Sequence, residues 1–134
     1  MRAPVAVTIV LIGMFLGIGC SPQFKVKPQQ IVGVWRFWPS SRCESSQLIS
    51  DELNFAADGT YSQITKLKIG SSIRSESKSW KLVSDDTLHL DGWRNVFVEP
   101  ASTKQVSADL LLDVRRPPVL GLRPISACFY SQPK

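Results

Sequence analysis

The sequence predicts an all-β fold, an antiparallel up-and-down β-barrel of about eight strands preceded by a signal peptide. Three observations lead there. From Ile31 onward apolar residues recur with period two rather than 3.6. Turn-forming residues return at intervals of about 8 to 12 positions, the spacing of a small sandwich or barrel. No segment carries a convincing helical pattern. An even series of hairpin-linked strands can close its first strand onto its last, which removes exposed edges.

The strands follow in order. Ile31, Gly33, Trp35 and Phe37 share one face of the first. A second run ends at Phe55, ahead of Asp58-Gly59, residues that accept the positive φ of a hairpin turn. Tyr61 to Lys68 then runs back. The polar stretch Ser71 to Ser79 reads as a flexible loop or a twisted hairpin arm, with the loop favoured. Ser84-Asp85-Asp86 joins a Trp80 to Val83 strand to Thr87 to Leu90, whose alternation puts His89 and Asp91 on the polar side. Asp91-Gly92 predicts another turn before Val96 and Val98. The clearest strand is Val106 to Val114, where Val106, Ala108, Leu110, Leu112 and Val114 alternate with Ser107, Asp109, Leu111 and Asp113. Arg115-Arg116-Pro117-Pro118 stops it, because proline cannot donate to a ladder. Leu120 to Tyr130 supplies the last strand, interrupted at Pro124.

The apolar run from Val5 to Gly19, with Arg2 before it, fixes an address. Its fifteen positions fall short of the roughly 20 of a membrane-crossing helix and suit a secretory h-region. Small residues at Gly17 and Gly19 fit a cleavage site. Leu16-Gly17-Ile18-Gly19-Cys20 resembles the lipobox of bacterial lipoproteins, with Gly17 where they usually carry a branched apolar residue. That resemblance implies cleavage after Gly19 and a diacylglycerol anchor with palmitate-type chains on Cys20, each buried CH₂ contributing about 0.8 kcal/mol. Ser21 then implies sorting to the periplasmic face of the outer membrane. An ordinary secretory cut at the same bond and a retained anchor helix stay open. The chain divides into a signal peptide (1–19), a lipidated cysteine and flexible tether (20–30) and the barrel domain (31–134). Pro22 and Pro28 keep the tether extended at about 3 Å per residue.

Removing the leader leaves 115 residues, one domain with no room for a second. The full chain carries 16 Lys and Arg against 11 Asp and Glu, net +5. Those cations are scattered, which argues against nucleic acid as a partner, while weak attraction to anionic lipid headgroups remains open. Once Cys20 is assigned to lipid, Cys43 and Cys128 form an even pair, read as a disulfide or as two buried thiols. A bridge would close a loop of about 85 residues, worth about 4 kcal/mol in the chain-entropy view. Antiparallel pairing of the end strands is expected to place Cys128 nearer Ile31 than Cys43, so the loop after Trp38 must fold back. No Cys-x-x-Cys or Cys/His cluster accompanies His89, so neither a metal nor a cofactor is predicted.

Gly33-Val34-Trp35, Leu53-Asn54-Phe55-Ala56-Ala57-Asp58-Gly59-Thr60-Tyr61 and Ser79-Trp80-Lys81-Leu82 together resemble the small bacterial lipocalin-like lipoproteins over residues 31 to 93. The resemblance implies that Gly33 permits close approach, that Trp35 plugs one end of the barrel, and that Arg123 lies over Trp35. A cation–π contact there would contribute about 0.5 to 2 kcal/mol. Trp38 before Pro39, and Trp93 beside a predicted turn, read as rim residues of an opening or as ordinary hydrophobic caps. Tyr61 and Trp80 join them as aromatics a ligand would meet, although Trp80, in a strand interior, reads first as core.

Catalysis is not expected. His89 with Asp91 has no orienting carboxylate or placed nucleophile, and no Gly-x-Ser-x-Gly elbow occurs. Asp85-Asp86 and Asp109 with Asp113 are a turn pair and a strand's polar face. Two functions remain for a monomer. In one, the interior binds a small apolar or amphipathic ligand. In the other, an outer face, or a loop such as Glu44 to Ile49 or Ser71 to Ser79, docks an envelope protein as an assembly factor or hydrolase inhibitor. An internal apolar cavity above about 300 Å³ would mark the first, and a filled interior the second.

Overall fold

The computed structural model describes residues 26–75, 77–98, 100–113, 118–121 and 128–133. The signal segment, Cys20, Val114 to Pro117, Arg123 and Pro124 lie outside these residues.

A single helical turn, α1 (Pro28–Ile31), precedes the sheet. The sequence pattern did not predict it, because four residues are too few to display a helical period. Pro28 suits its first position, where no backbone N–H is needed, and Gln30 Oε1 accepts from Lys27 N–H at 2.8 Å. Ile31 is fully buried at its end.

Nine strands follow: β1 (Gly33–Phe37), β2 (Leu48–Phe55), β3 (Thr60–Leu67), β4 (Ser72–Arg74), β5 (Lys78–Ser84), β6 (Thr87–Arg94), β7 (Gln105–Asp113), β8 (Val119–Gly121) and β9 (Phe129–Ser131). Eight of them close an antiparallel meander, in the order β1-β2-β3-β5-β6-β7-β8-β9, and β9 returns to β1 at Arg36 opposite Ser131. The predicted barrel is therefore present. The remaining strand, β4, is an arm lying on β3, with Ile64, Thr65 and Lys66 opposite Arg74, Ile73 and Ser72. Only Thr60 with Ser79 and Tyr61 with Lys78 then join β3 to β5.

Three local expectations are corrected. The stretch after Ser71 is a hairpin arm rather than a loop, because Gly70 at φ +90° reverses the chain and Leu67 N–H bonds Ser71 O at 2.9 Å. Asp91-Gly92 makes no turn. Gly92, at φ +66°, instead absorbs a register shift between Leu90 and Trp93, so β6 runs on to Arg94 and the segment at Val96 and Val98 is not a strand. The last predicted strand is two, β8 and β9, paired with each other at Leu120 and Tyr130.

Alternate residues point inward, as the period-two pattern requires. Trp35, Leu48, Leu53, Phe55, Leu88, Leu90, Leu110, Leu120 and Tyr130 are essentially inaccessible. Aromatic rings fill much of the interior. Phe97 lies edge-on to Phe37 at 5.0 Å and to Trp93 at 5.7 Å between ring centres, and Phe55 contacts Tyr61 and Trp80 at 5.5 and 5.7 Å.

Cys43 and Cys128 are joined in a disulfide with their Cα atoms 5.3 Å apart. Its position corrects the expected geometry. Continuing the register of Arg36 with Ser131 brings Cys128 beside Pro39, at the opposite end of β1 from Ile31. A tight turn, in which Ser40 and Cys43 exchange both backbone hydrogen bonds at 3.0 Å, then carries Cys43 back to meet it.

Candidate functional site

The interior also holds a polar network that alternation alone did not reveal. Asp51 on β2, Gln63 and Thr65 on β3, and Arg94 at the end of β6 are all buried. Their phases place them inward: Asp51 alternates with Leu53 and Phe55, and Gln63 and Thr65 continue from Tyr61. The Asp51 carboxylate accepts from Thr65 Oγ1 at 2.5 Å, Gln63 Nε2 at 2.8 Å and Tyr130 OH at 2.5 Å. Trp93 Nε1 donates to the same Tyr130 oxygen at 3.2 Å. Arg94 Nη2 donates to Gln63 O, Thr65 Oγ1 and Ile73 O at 3.2, 3.2 and 3.0 Å, while its buried Nε has no partner. Thr65 thus stands between the guanidinium and the carboxylate. Burial raises Asp51 from 3.8 to about 6, opposed by its three donors and by the charge of Arg94. Burial and the neighbouring Asp51 hold the Tyr130 phenol well above its ordinary range.

The sequence-predicted residues divide between interior and surface. Trp35 is buried at the α1 end of the barrel, its Nε1 donating to Ile31 O at 2.8 Å. Gly33 stands nearby at φ +123°, with nothing within 4 Å of a built Cβ. Backbone conformation, rather than the close approach implied by the lipocalin-like motif, is therefore what asks for glycine. Tyr61 is buried and donates to Asp91 O at 2.6 Å, its phenol pushed up by burial and by the Asp91 charge. Trp80 is buried with Nε1 on Ala56 O at 3.0 Å. Trp93, expected at a rim, lies inside at 1% exposure because the bulge at Gly92 returns it to the inward phase. Only Trp38 is open, at 54% exposure, the one exposed indole of the four. Arg123, predicted to cover Trp35, is outside the described residues.

A second cluster lies on the outer face of β5, β6 and β7. His89 is not without an orienting carboxylate, as the sequence suggested: Asp109, its partner across β6 and β7, bonds Nδ1 at 2.6 Å, and Asp91 meets Nε2 at 3.1 Å. Asp91 also accepts from Ser79 Oγ at 2.5 Å and Ser107 Oγ at 3.1 Å. The Asp109 hydrogen bond raises the His89 pKa above its usual value, and Asp91 adds to it. Both ring nitrogens are engaged by carboxylates, and each serine hydroxyl faces Asp91 rather than the imidazole. This is a charge clasp across three strands. Among the described residues no group of His, Cys, Asp and Glu is arranged to hold a metal ion.

Two clefts open on the outside. One, of about 880 Å³, is lined by Pro39, Ser40, Ser41, Glu44, Ser45, Ser46 and Lys68 beside the disulfide turn. The other, of about 500 Å³, crosses β1 to β4 and is bordered by Trp38, Lys66 and Arg74. No family model matches the chain, and neither a curated protein nor a solved structure matches it. The eight-stranded closed barrel is compatible with a lipocalin-like fold. Its filled centre sets it apart from a cup.

Proposed function

We propose that the chain is a lipid-anchored envelope protein that works through its outer surface, with the barrel as a rigid scaffold and no catalytic step. The observation that carries this reading is the occupied interior. Trp35, Trp93, Tyr61, Tyr130 and Phe55, with the Asp51, Gln63, Thr65 and Arg94 network, take the space that an apolar ligand of drug size would need. A buried guanidinium and carboxylate also make that space a poor solvent for an apolar guest. The interior-ligand reading is accordingly the weaker, and docking of an envelope component on the outside the stronger. The anchor rests on Cys20 and the apolar run before it, and Ser21 supports the outer membrane as its destination.

Two measurements test the proposal. Native mass spectrometry of protein extracted from membranes should give the chain from Cys20 plus its acyl groups. A co-purified apolar molecule, or an unmodified Cys20, would overturn the corresponding half. A photocrosslinking residue placed at Ile64, on the outer face of β3, should give adducts in cells that the same residue at Val83, on another flank, does not. Equal labelling from both positions would count against a working face.

A further inference from the structure

The cleft across β1 to β4 has an arrangement that points to one kind of ligand. Cross-strand register lays its lining in two rows. Arg36, Glu52, Ile64 and Arg74 form the first, and Ser50, Lys66 and Ser72 the second, with Trp38 just past the end of β1. All face outward, because the alternate residues Asp51, Leu53, Gln63 and Thr65 are buried inside.

The charges in the rows are not equivalent. Arg36 Nε donates to Glu52 at 2.8 Å, so that pair is neutral together. Lys66 and Arg74 are held by no carboxylate among the described residues. Neighbours on paired strands, they sit diagonally across β3 and β4, within about 7–8 Å of each other, close enough for two long side chains to converge on one group. The Ser50 and Ser72 hydroxyls flank Lys66 on either side in its own row. A guanidinium fork, an ammonium and two hydroxyls offer more donors than a carboxylate can use, and a tetrahedral oxyanion accepts from all of them. Trp38 and Ile64 supply apolar surface beside this polar corner. A polyanion is a poor match, since Glu52 stands in the cleft and, among the described residues, only two cations there lack a carboxylate partner.

We propose that this cleft binds a single phosphate group, held by Lys66, Arg74, Ser50 and Ser72, with its organic body against Trp38 and Ile64. The inference rests on the outer surface being the working one. Two sources share that chemistry: a soluble phosphate ester, and the headgroup of an anionic phospholipid within reach of an anchored chain.

The test is a two-dimensional NMR titration of the full chain in a neutral detergent, at constant ionic strength balanced with chloride. The probes are inorganic phosphate, glycerol 3-phosphate and, in a separate arm, bilayer discs of phosphatidylglycerol or phosphatidylcholine. Saturable shifts of the Lys66, Ser72 and Arg74 amides and the Trp38 indole N–H are expected. The Lys66→Gln/Arg74→Gln double variant, with an otherwise unchanged spectrum, should raise half-saturation at least tenfold. Shifts with the soluble probes support a soluble ester, and shifts confined to phosphatidylglycerol discs support a headgroup. Unmoved signals in every arm, or equal binding by the double variant, overturn the inference. If the signals stay unmoved while crosslinks still form specifically at Ile64, the phosphate site falls and the outer-face reading stands. Binding without such crosslinks would separate the two the other way.

Discussion

Tyr130 on β9 donates its hydroxyl proton to Asp51 on β2 at 2.5 Å, joining two strands that have β1 between them and lie 79 residues apart in sequence. The same oxygen accepts from Trp93 on β6. One phenol therefore connects three walls of the barrel. Tyr130→Phe should leave the Trp93 N–H without its acceptor and Asp51 without one donor. A loss of about 1–3 kcal/mol is expected, read by urea denaturation. A change inside experimental error would mean that the network contributes little.

Asp51 gives a pH dependence with a definite sign. The folded carboxyl holds its proton to about pH 6, the unfolded one only to 3.8. Its contribution is therefore fully present below the unfolded value and lost as pH rises through the folded one, a span of about 3 kcal/mol at most. Asp51→Asn should flatten denaturation midpoints measured between pH 4 and 7. Unchanged steepness in that variant would assign the titration to another group.

His89 acts in the same direction on the surface. Its pKa is raised, chiefly by Asp109, so the clasp contributes below pH 6.5 and weakens as pH climbs through the folded value. NMR titration of the imidazole should place its midpoint above 6.5, and Asp109→Asn should bring it down. A normal midpoint in the parent protein would show the clasp to be open in solution.

The disulfide closes a span of 85 residues that contains β2 to β8. Cys43→Ser should lower stability by about 4 kcal/mol if unfolded-chain entropy governs the effect. Intact mass should rise by about two hydrogens on reduction. No mass change would place the two thiols unpaired.

Gly33→Ala separates conformation from crowding. A Cβ there meets nothing within 4 Å, yet φ is +123°, so the substitution should still cost about 1–3 kcal/mol. A neutral result in thermal unfolding would mean that the backbone relaxes freely at the start of β1.

Alternation made the barrel legible: the inward phases of Trp35, Leu88, Leu90, Leu110 and Leu112 could be read directly along the chain. Local turn chemistry was a poorer guide, since Asp58-Gly59 turns the chain while Asp91-Gly92 only bulges it. The dipeptides are alike, but β6 remains paired to β7 on both sides of the second one. Asp51, Gln63 and Thr65 share the phase of buried neighbours, but their polarity masks it, and Arg94, next to inward-facing Trp93, is buried only through the register shift at Gly92. The His89 clasp needed the register of β6 against β7, which no single strand contains. Likewise, the corner at Lys66 and Arg74 exists only because β4 folds onto β3.

That folded-over arm leaves the cylinder with a second thin weld, besides the single pair, Arg36 with Ser131, that closes β9 onto β1. Where β4 occupies the flank of β3, only two residue pairs stitch β3 to β5, against six between β6 and β7. Breathing motions should start at these two joints, and opening between β3 and β5 would admit water toward the unpartnered nitrogen of Arg94. A second molecule of the same chain would find there the ready gap for exchanging ribbons.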